Sequence, residues 1–445
     1  MRKPAPGPKG YPLVGVVPFM IKHGAEYLLS VFRQHGDVAE LKLLGPMRMF
    51  LISHPDDVEY VLKKNHRNFI VKRPSMHLEA MMGNGLTLSN GDLWLQQRRL
   101  MQPAFHRQKI EAMAAATASH VAERIRHWGT MDGPIDLASE MERLSLNAML
   151  AALFGSGITE SETRRITAAV ELVLSVAGRG MFLEVPPFIP TPENLRVKRA
   201  LKDLTQVVLG LFEQRRHAPD GEQRQDLLSL LLHAHDDMAG MSEQQLRDEV
   251  TAILVAGYES TAVTLSWMFY LLSQNPAVEQ RLRQEIGTAL EGRAPTLADL
   301  SSLEYLNQVI SESMRVYPAF WAMTRETVAD DEIGGYRIPA KSLIVVSPFV
   351  THKHPGFWDD PDRFDPDRFT TERSAGRHRF SYFPFGAGPR FCIGERQAQM
   401  VLQLSLVTVL QKYRLTPVPG HSVEIHTSMT IRPKYGMLMD VAPAP

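Results

Sequence analysis

FGAGPRFCIG, residues 385–394, holds the only cysteine of a 445-residue chain, set among three glycines and beside an arginine. A lone cysteine is commonly a small buried hydrophobe. Here Gly386, Gly388 and Gly394 argue for more, because glycine lets backbone amides or a flat ligand come close where a side chain would block them. Amide N–H groups aimed at a thiolate stabilise its charge and temper its electron donation, which tunes a metal-bound sulfur. No histidine or second cysteine lies nearby, so zinc and iron–sulfur sites lack ligands. A cofactor that brings four equatorial donors of its own needs one axial thiolate, and that describes haem.

The stretch resembles the cysteine-loop signature of the haem-thiolate monooxygenases, the cytochrome P-450 family, with Phe385, Gly386, Gly388, Arg390, Cys392 and Gly394 in register. Upstream, ESMR sets Glu312 and Arg315 one helical turn apart. Read locally that is an ordinary surface pair. It also resembles the family's Glu-x-x-Arg motif, and Arg368 of PDRF stands where the family supplies a second arginine. The resemblance implies an Arg–Glu–Arg cluster that fixes the segment carrying the cysteine, since such a cluster is weak evidence for stability. Trp94 and Arg98 of WLQQR, with Arg325 and Arg390, are similar to family positions that reach a haem propionate. Arginine suits that role because its planar fork pairs carboxylates bidentately; the plainer alternatives are core packing for Trp94 and a solvated face for Arg98. The resemblance further implies haem b (iron protoporphyrin IX), O2 as co-substrate, Cys392 as axial ligand and Phe385 as a shield over the sulfur.

Residues 249–272, EVTAILVAGYESTAVTLSWMFYLL, read as the longest apolar helix, with Gly257, Glu259, Ser260 and Thr261 in its middle. A glycine there costs up to about 1 kcal/mol relative to alanine, and something should offset it. One account has the hydroxyls bonding back to carbonyls one turn earlier and Glu259 finding a polar partner. The other is chemical: an acid beside an alcohol, aided by a loosened turn, delivers protons in a water-poor pocket. AGYEST resembles the family's oxygen-activation segment, with Ser260 where the family usually has threonine and Thr261 next. Serine keeps the hydroxyl and loses the methyl that restricts its rotamer.

Around these motifs the pattern predicts a mainly α protein with a small β portion, one large α-rich domain over 1–445. Helical periodicity dominates from about 55 to 325 and returns at 395–412. Strand signals fall at about 38–53, 332–347 and 413–441. The irregular segment 352–384, rich in Pro, Asp, Arg and Phe, is long enough to suggest function. Lys+Arg and Asp+Glu are both 49, so no global field favours nucleic acid or an anionic membrane, and any charge-guided partner must read a local patch. The lone cysteine, the proline-interrupted start and the lack of a long apolar run predict a cytoplasmic protein with no signal and no membrane anchor.

In the resembled family variable stretches line the pocket; here they map to about 74–90, 181–190, 319–324 and 427–430. Met81, Met82, Phe182, Phe320, Trp321 and Met429 are individually ordinary core residues, yet as a set they suit a lipophilic substrate such as a fatty acid, terpenoid or steroid-like molecule. Arg73 and His77 are the nearest basic groups for a substrate carboxylate. No stretch reads as a flavin or ferredoxin domain, so a separate ferredoxin- or flavodoxin-type donor is expected, and Arg98, Arg99, Arg107 and Lys109 offer a basic patch for it. A haem-thiolate peroxygenase, or an isomerase or dehydratase, needs no external electrons; retention of Glu259 and Ser260 favours the monooxygenase.

Overall fold

The structure, a computed structural model, describes residues 3–72, 75–154, 159–180, 184–217, 228–229, 231–232 and 242–444. It is mainly helical with a smaller sheet portion. Its chain forms two compact units, one of Met1–Pro74, Gln308–Cys392 and Ile425–Arg432, the other of Ser75–Asn307, Ile393–Glu424 and Pro433–Pro445.

The first unit is built on a five-stranded sheet. Val38–Lys42 and Arg48–Ile52 form the expected hairpin, Val38 facing Ile52 and Lys42 facing Arg48. Arg48–Ile52 pairs in parallel with Leu343–Val346, whose apolar run suits a strand buried in mid-sheet. Met323–Thr327 and then Phe69–Val71 complete the sheet, each antiparallel to its neighbour. Asp331–Ile333 and Tyr336–Ile338 pair as a separate hairpin. One face of the large sheet closes on an apolar cluster that includes Val38, Phe50, Val61, Leu62, Phe380 and Phe383. The two phenylalanines come from the irregular segment just before the cysteine loop, so burying them ties that loop's entrance to the sheet.

Helices make up most of the second unit. The central one, Glu243–Gln274, starts at Ser242, whose hydroxyl accepts the Gln245 N–H, and ends before Pro276. From Leu246 to Leu272 it is buried on nearly every side, as an apolar helix must be when other helices surround it. Leu137–Phe154 packs along it, and Gly257 marks the crossing: a Cβ there would come within 1.8 Å of the Met149 methyl. The close atom is the end of a flexible side chain, so Met149 would have to move aside for any larger residue at position 257. Glu395–Lys412 runs from the Gly394 cap into strand Tyr413–Pro417, which pairs with Leu438–Pro443, and that strand pairs with Ile135–Asp136.

Candidate functional site

The cysteine loop is shaped by its glycines and closed by one backbone bond. Gly386 and Gly388 have φ of 73° and 68°, conformations that side chains disfavour. At Gly388 space forbids a side chain as well, since a Cβ would lie 1.9 Å from the Leu62 carbonyl oxygen. The turn brings the Cys392 N–H to the Phe385 carbonyl at 3.0 Å. Cys392 is exposed rather than a buried hydrophobe, while Phe385 and Arg390 are half-buried. Gly394 has ordinary backbone geometry, φ −91°, and serves as the N-cap of the next helix.

Behind the loop lies the ion cluster. Arg315 Nε and Nη2 donate to the two Glu312 oxygens at 2.6 and 2.8 Å, and both side chains are fully buried. The remaining Arg315 hydrogens go to the carbonyls of His352, Pro361 and Arg363 at 2.7–3.0 Å, so one guanidinium gathers three points of the irregular segment. Glu312 also accepts the Asp365 N–H at 2.8 Å, and Arg368 approaches the same oxygen to 3.4 Å. Arg368 itself donates to the carbonyls of Asp359 and Asp360. Burial pushes the Glu312 carboxyl up, against the pull of Arg315 and Arg368.

His352, which the sequence did not single out, links this cluster to the loop. Its Nε2 accepts the Phe383 N–H at 2.9 Å. Burial, reinforced by Arg315, pulls the imidazole down to about 3, so the ring is neutral and remains an acceptor at physiological pH.

Arg325 sits on strand Met323–Thr327. Strand alternation puts it on the same face as Met323, whose methyl lies 3.5 Å from where a Gly386 Cβ would stand. Among the described residues its guanidinium donates to the Thr324 carbonyl at 2.8 Å. Burial pulls the guanidinium down to about 10, although the side chain stays half-buried at the surface, and no carboxylate among the described residues pairs with it. An anionic group is the natural complement. The donor set therefore fits haem: an exposed cysteine on a glycine-turned loop, with an uncompensated arginine on the same sheet face.

In the second unit, Trp94 and Arg98 are both half-buried on one face of helix Gly91–Met101. Glu259 is 3 % exposed and Thr261 6 %. The turn around them is regular α-helix, and the hydroxyls bond back: Ser260 Oγ donates to the Ala256 carbonyl and Thr261 Oγ1 to that of Gly257, each at 2.8 Å.

Two more acids on this helix were not anticipated. Asp248 accepts the Asn84 N–H at 3.0 Å and Glu249 Oε2 the Leu86 N–H at 2.9 Å, fastening the backbone before Trp94 and Arg98. Gln97 holds the same segment, donating to the Asn84 carbonyl and accepting the Ser89 hydroxyl. Glu249 is fully buried, its Oε1 has no partner among the described residues, and burial, aided by the Asp248 charge, pushes its carboxyl up to about 7.

Of the expected pocket residues, Met81 and Met82 are buried in the second unit, and Trp321 is buried in the first, its indole N–H donating to the Ser428 carbonyl at 2.8 Å. Phe320 and Met429 are half-buried in the first unit. Phe182 and Arg73 lie outside the described residues. His77 is unavailable as a carboxylate anchor, because it is buried and engaged at both ring nitrogens.

A cysteine exposed on such a loop, with the half-buried Arg325 on the sheet of the same unit, suits a haem-thiolate protein. The chain belongs to the cytochrome P450 family, whose model, Cytochrome P450, matches residues 5–439. It is 37% identical to a cyclooctat-9-en-7-ol 5-monooxygenase of Streptomyces melanosporofaciens, over 93% of this chain and 90% of that one. It is 35% identical to a pentalenene oxygenase of Streptomyces avermitilis, over 94% and 92%. Among solved structures it resembles retinoic acid-bound cyanobacterial CYP120A1, with TM-score 0.89 and 23% identity over the whole of both chains. The cytochrome P450DA haem domain is similar at TM-score 0.86 and 24% identity, covering 100% of this chain and 99% of that one. The protein is accordingly a cytochrome P450 monooxygenase that uses haem and O2, and enzymes of this kind oxidise lipophilic substrates with the help of redox partners.

Proposed function

We propose that the protein oxygenates a cyclic terpenoid, with electrons from a separate ferredoxin- or flavodoxin-type donor. The observation that carries the substrate class is the 35–37% identity, over 93–94% of this chain, to relatives named for the oxidation of cyclooctat-9-en-7-ol and pentalenene. The apolar set Met81, Met82, Phe320, Trp321 and Met429 supports it, methionine in particular adapting to irregular shapes.

In this reading Cys392 would hold the iron of haem b through its thiolate, and Arg325, Arg390, Trp94 and Arg98 would hold its propionates. When bound, the haem supplies the dioxygen chemistry. Phe385 shields the sulfur, and the Glu312–Arg315–Arg368 cluster with His352 fixes the loop. Glu259 supplies protons through Ser260. Since the Ser260 hydroxyl spends its hydrogen on the Ala256 carbonyl, it must rotate to pass a proton on; serine, without the threonine methyl, does so more freely. Thr261 is the neighbouring hydroxyl in the same role.

The donor would dock on Arg98, Arg99, Arg107 and Lys109. Arg107 already pairs with Glu111 at 2.5 Å, so the patch is weaker than its residue count suggests. Charge reversal of Arg107 and Lys109 slows reduction at low salt; an unchanged rate removes the patch. Among the described residues no helix is long and apolar enough to cross a membrane, which suits a cytoplasmic enzyme. The reading is tested by spectral titration with pentalenene, followed by turnover under isotopically labelled dioxygen. A substrate-type shift and one labelled oxygen in the product are expected. Shifts with fatty acids alone would overturn the terpenoid assignment.

A further inference from the structure

His77 is 1 % exposed, and each of its ring nitrogens meets an oxygen. Nδ1 faces Glu184 Oε1, and Nε2 lies 2.8 Å from Asn194 Oδ1. The Asn194 orientation is determined by its other end: the amide nitrogen donates to the carbonyls of Pro186 and Ile189, both at 2.8 Å, so the atom facing the ring is the oxygen. Glu184 is likewise saturated with donors. Its Oε1 accepts the Ser75 hydroxyl at 2.6 Å and the His77 N–H at 2.9 Å, and Oε2 accepts the Met76 N–H at 2.6 Å. Burial alone would raise this carboxyl, but those donors outweigh it and hold the group below its ordinary value, as a carboxylate. His77 is thus held between an oxygen at each ring nitrogen, one from Glu184 and one from Asn194.

The three segments joined by this ring are otherwise distinct. They are helix Met76–Met82, capped by Ser75; the loop 184–191; and the first turn of helix Pro192–Arg216, capped by Thr191. We propose that His77 is a two-armed clasp, a positioning residue that fastens helix Met76–Met82 to the 184–194 segment and thereby sets which substrates fit against Met81 and Met82. The specificity part rests on reading Met81 and Met82 as pocket residues; the clasp does not. Losing either arm leaves a buried polar group unpaired, so the two segments should loosen together.

The test compares wild-type holoenzyme with His77→Phe, Glu184→Gln and the double variant. Amide hydrogen exchange is followed by mass spectrometry in peptides covering 75–82 and 184–194. Each single variant should speed exchange in both segments and leave helix Glu304–Val316 unchanged, and the double variant should fall short of the sum of the two single effects, because the singles share the His77–Glu184 contact. Exchange that stays at the wild-type rate, or opens in one segment only, overturns the clasp. In parallel, the pentalenene Kd should rise about tenfold in His77→Phe while that of imidazole, small enough to ignore the pocket wall, stays within about twofold. Equal shifts for both ligands would place the effect at the haem and overturn the specificity role. Should wild-type enzyme bind no pentalenene, the pocket reading fails, and the exchange result still decides the clasp.

Discussion

Glu249→Gln should make the protein more stable at pH 8 and leave it nearly unchanged at pH 5. The carboxyl has an ordinary value of 4.5 and is pushed up to about 7, chiefly by burial. Below 4.5 the group is protonated whether the chain is folded or not, and stability is unaffected. Between 4.5 and 7 the folded state keeps a proton that the unfolded state releases, so stability declines as pH rises, and above 7 the full cost of a buried charge is present. At about 1.4 kcal/mol per pH unit, that cost is about 3 kcal/mol. Glutamine keeps an oxygen for the Leu86 N–H and removes the charge beside Asp248. Urea unfolding of the haem-loaded protein at the two pH values measures the difference. Wild type should lose stability relative to the variant between pH 5 and 8. A gap of the same size at both pH values would show that Glu249 is not neutral in the fold, and would refute the burial argument.

Gly388→Ala should cost about 3 kcal/mol or more, because a positive φ and the Leu62 carbonyl both oppose a side chain; thermal unfolding and haem retention report it. Arg315→Lys removes the bidentate hold on Glu312 and abandons carbonyls that a three-donor ammonium cannot all reach, a loss of about 3–5 kcal/mol for a broken buried pair. Its expected result is a chain that fails to accumulate folded, and normal expression and melting would contradict it. Ser260→Ala should divert electrons into peroxide without changing the substrate-induced spectral shift, and equal coupling in variant and wild type would remove Ser260 from proton delivery. Glu259→Gln should lower product formation by about a hundredfold, in the range of general acid catalysis.

Where local chemistry is contiguous, the sequence was legible. The cysteine loop carries its own explanation, since the glycines needed for its turns stand beside the cysteine. The hairpin 38–53 announced itself through apolar runs around Gly45–Pro46. Strand Met323–Thr327 did not, because Thr, Arg and Glu fill a strand whose sheet neighbours are supplied from residues 69–71 and 343–346, far away in the chain. The helix expected over 249–272 begins earlier, at Glu243, a start the apolar pattern missed because residues 243–248 are mostly polar, and this places Glu249 in the buried part of the helix. His77, Glu184 and Asn194 are separated by 107 and 117 positions, a distance no local pattern spans. The same holds for His352, whose partner at Phe383 lies 31 residues on. Gly257 offered a true signal with two readings, and the structure adds a neighbour, the Met149 side chain, that a Cβ would displace.

The central claim is that Cys392 binds haem iron as a thiolate, and the absorbance spectrum of the reduced, carbon monoxide-bound protein tests it most directly. The account predicts a Soret band near 450 nm, the wavelength in the family's name, lost on Cys392→Ser. A band at clearly shorter wavelength in the freshly purified wild-type protein, or one that survives Cys392→Ser, would contradict it.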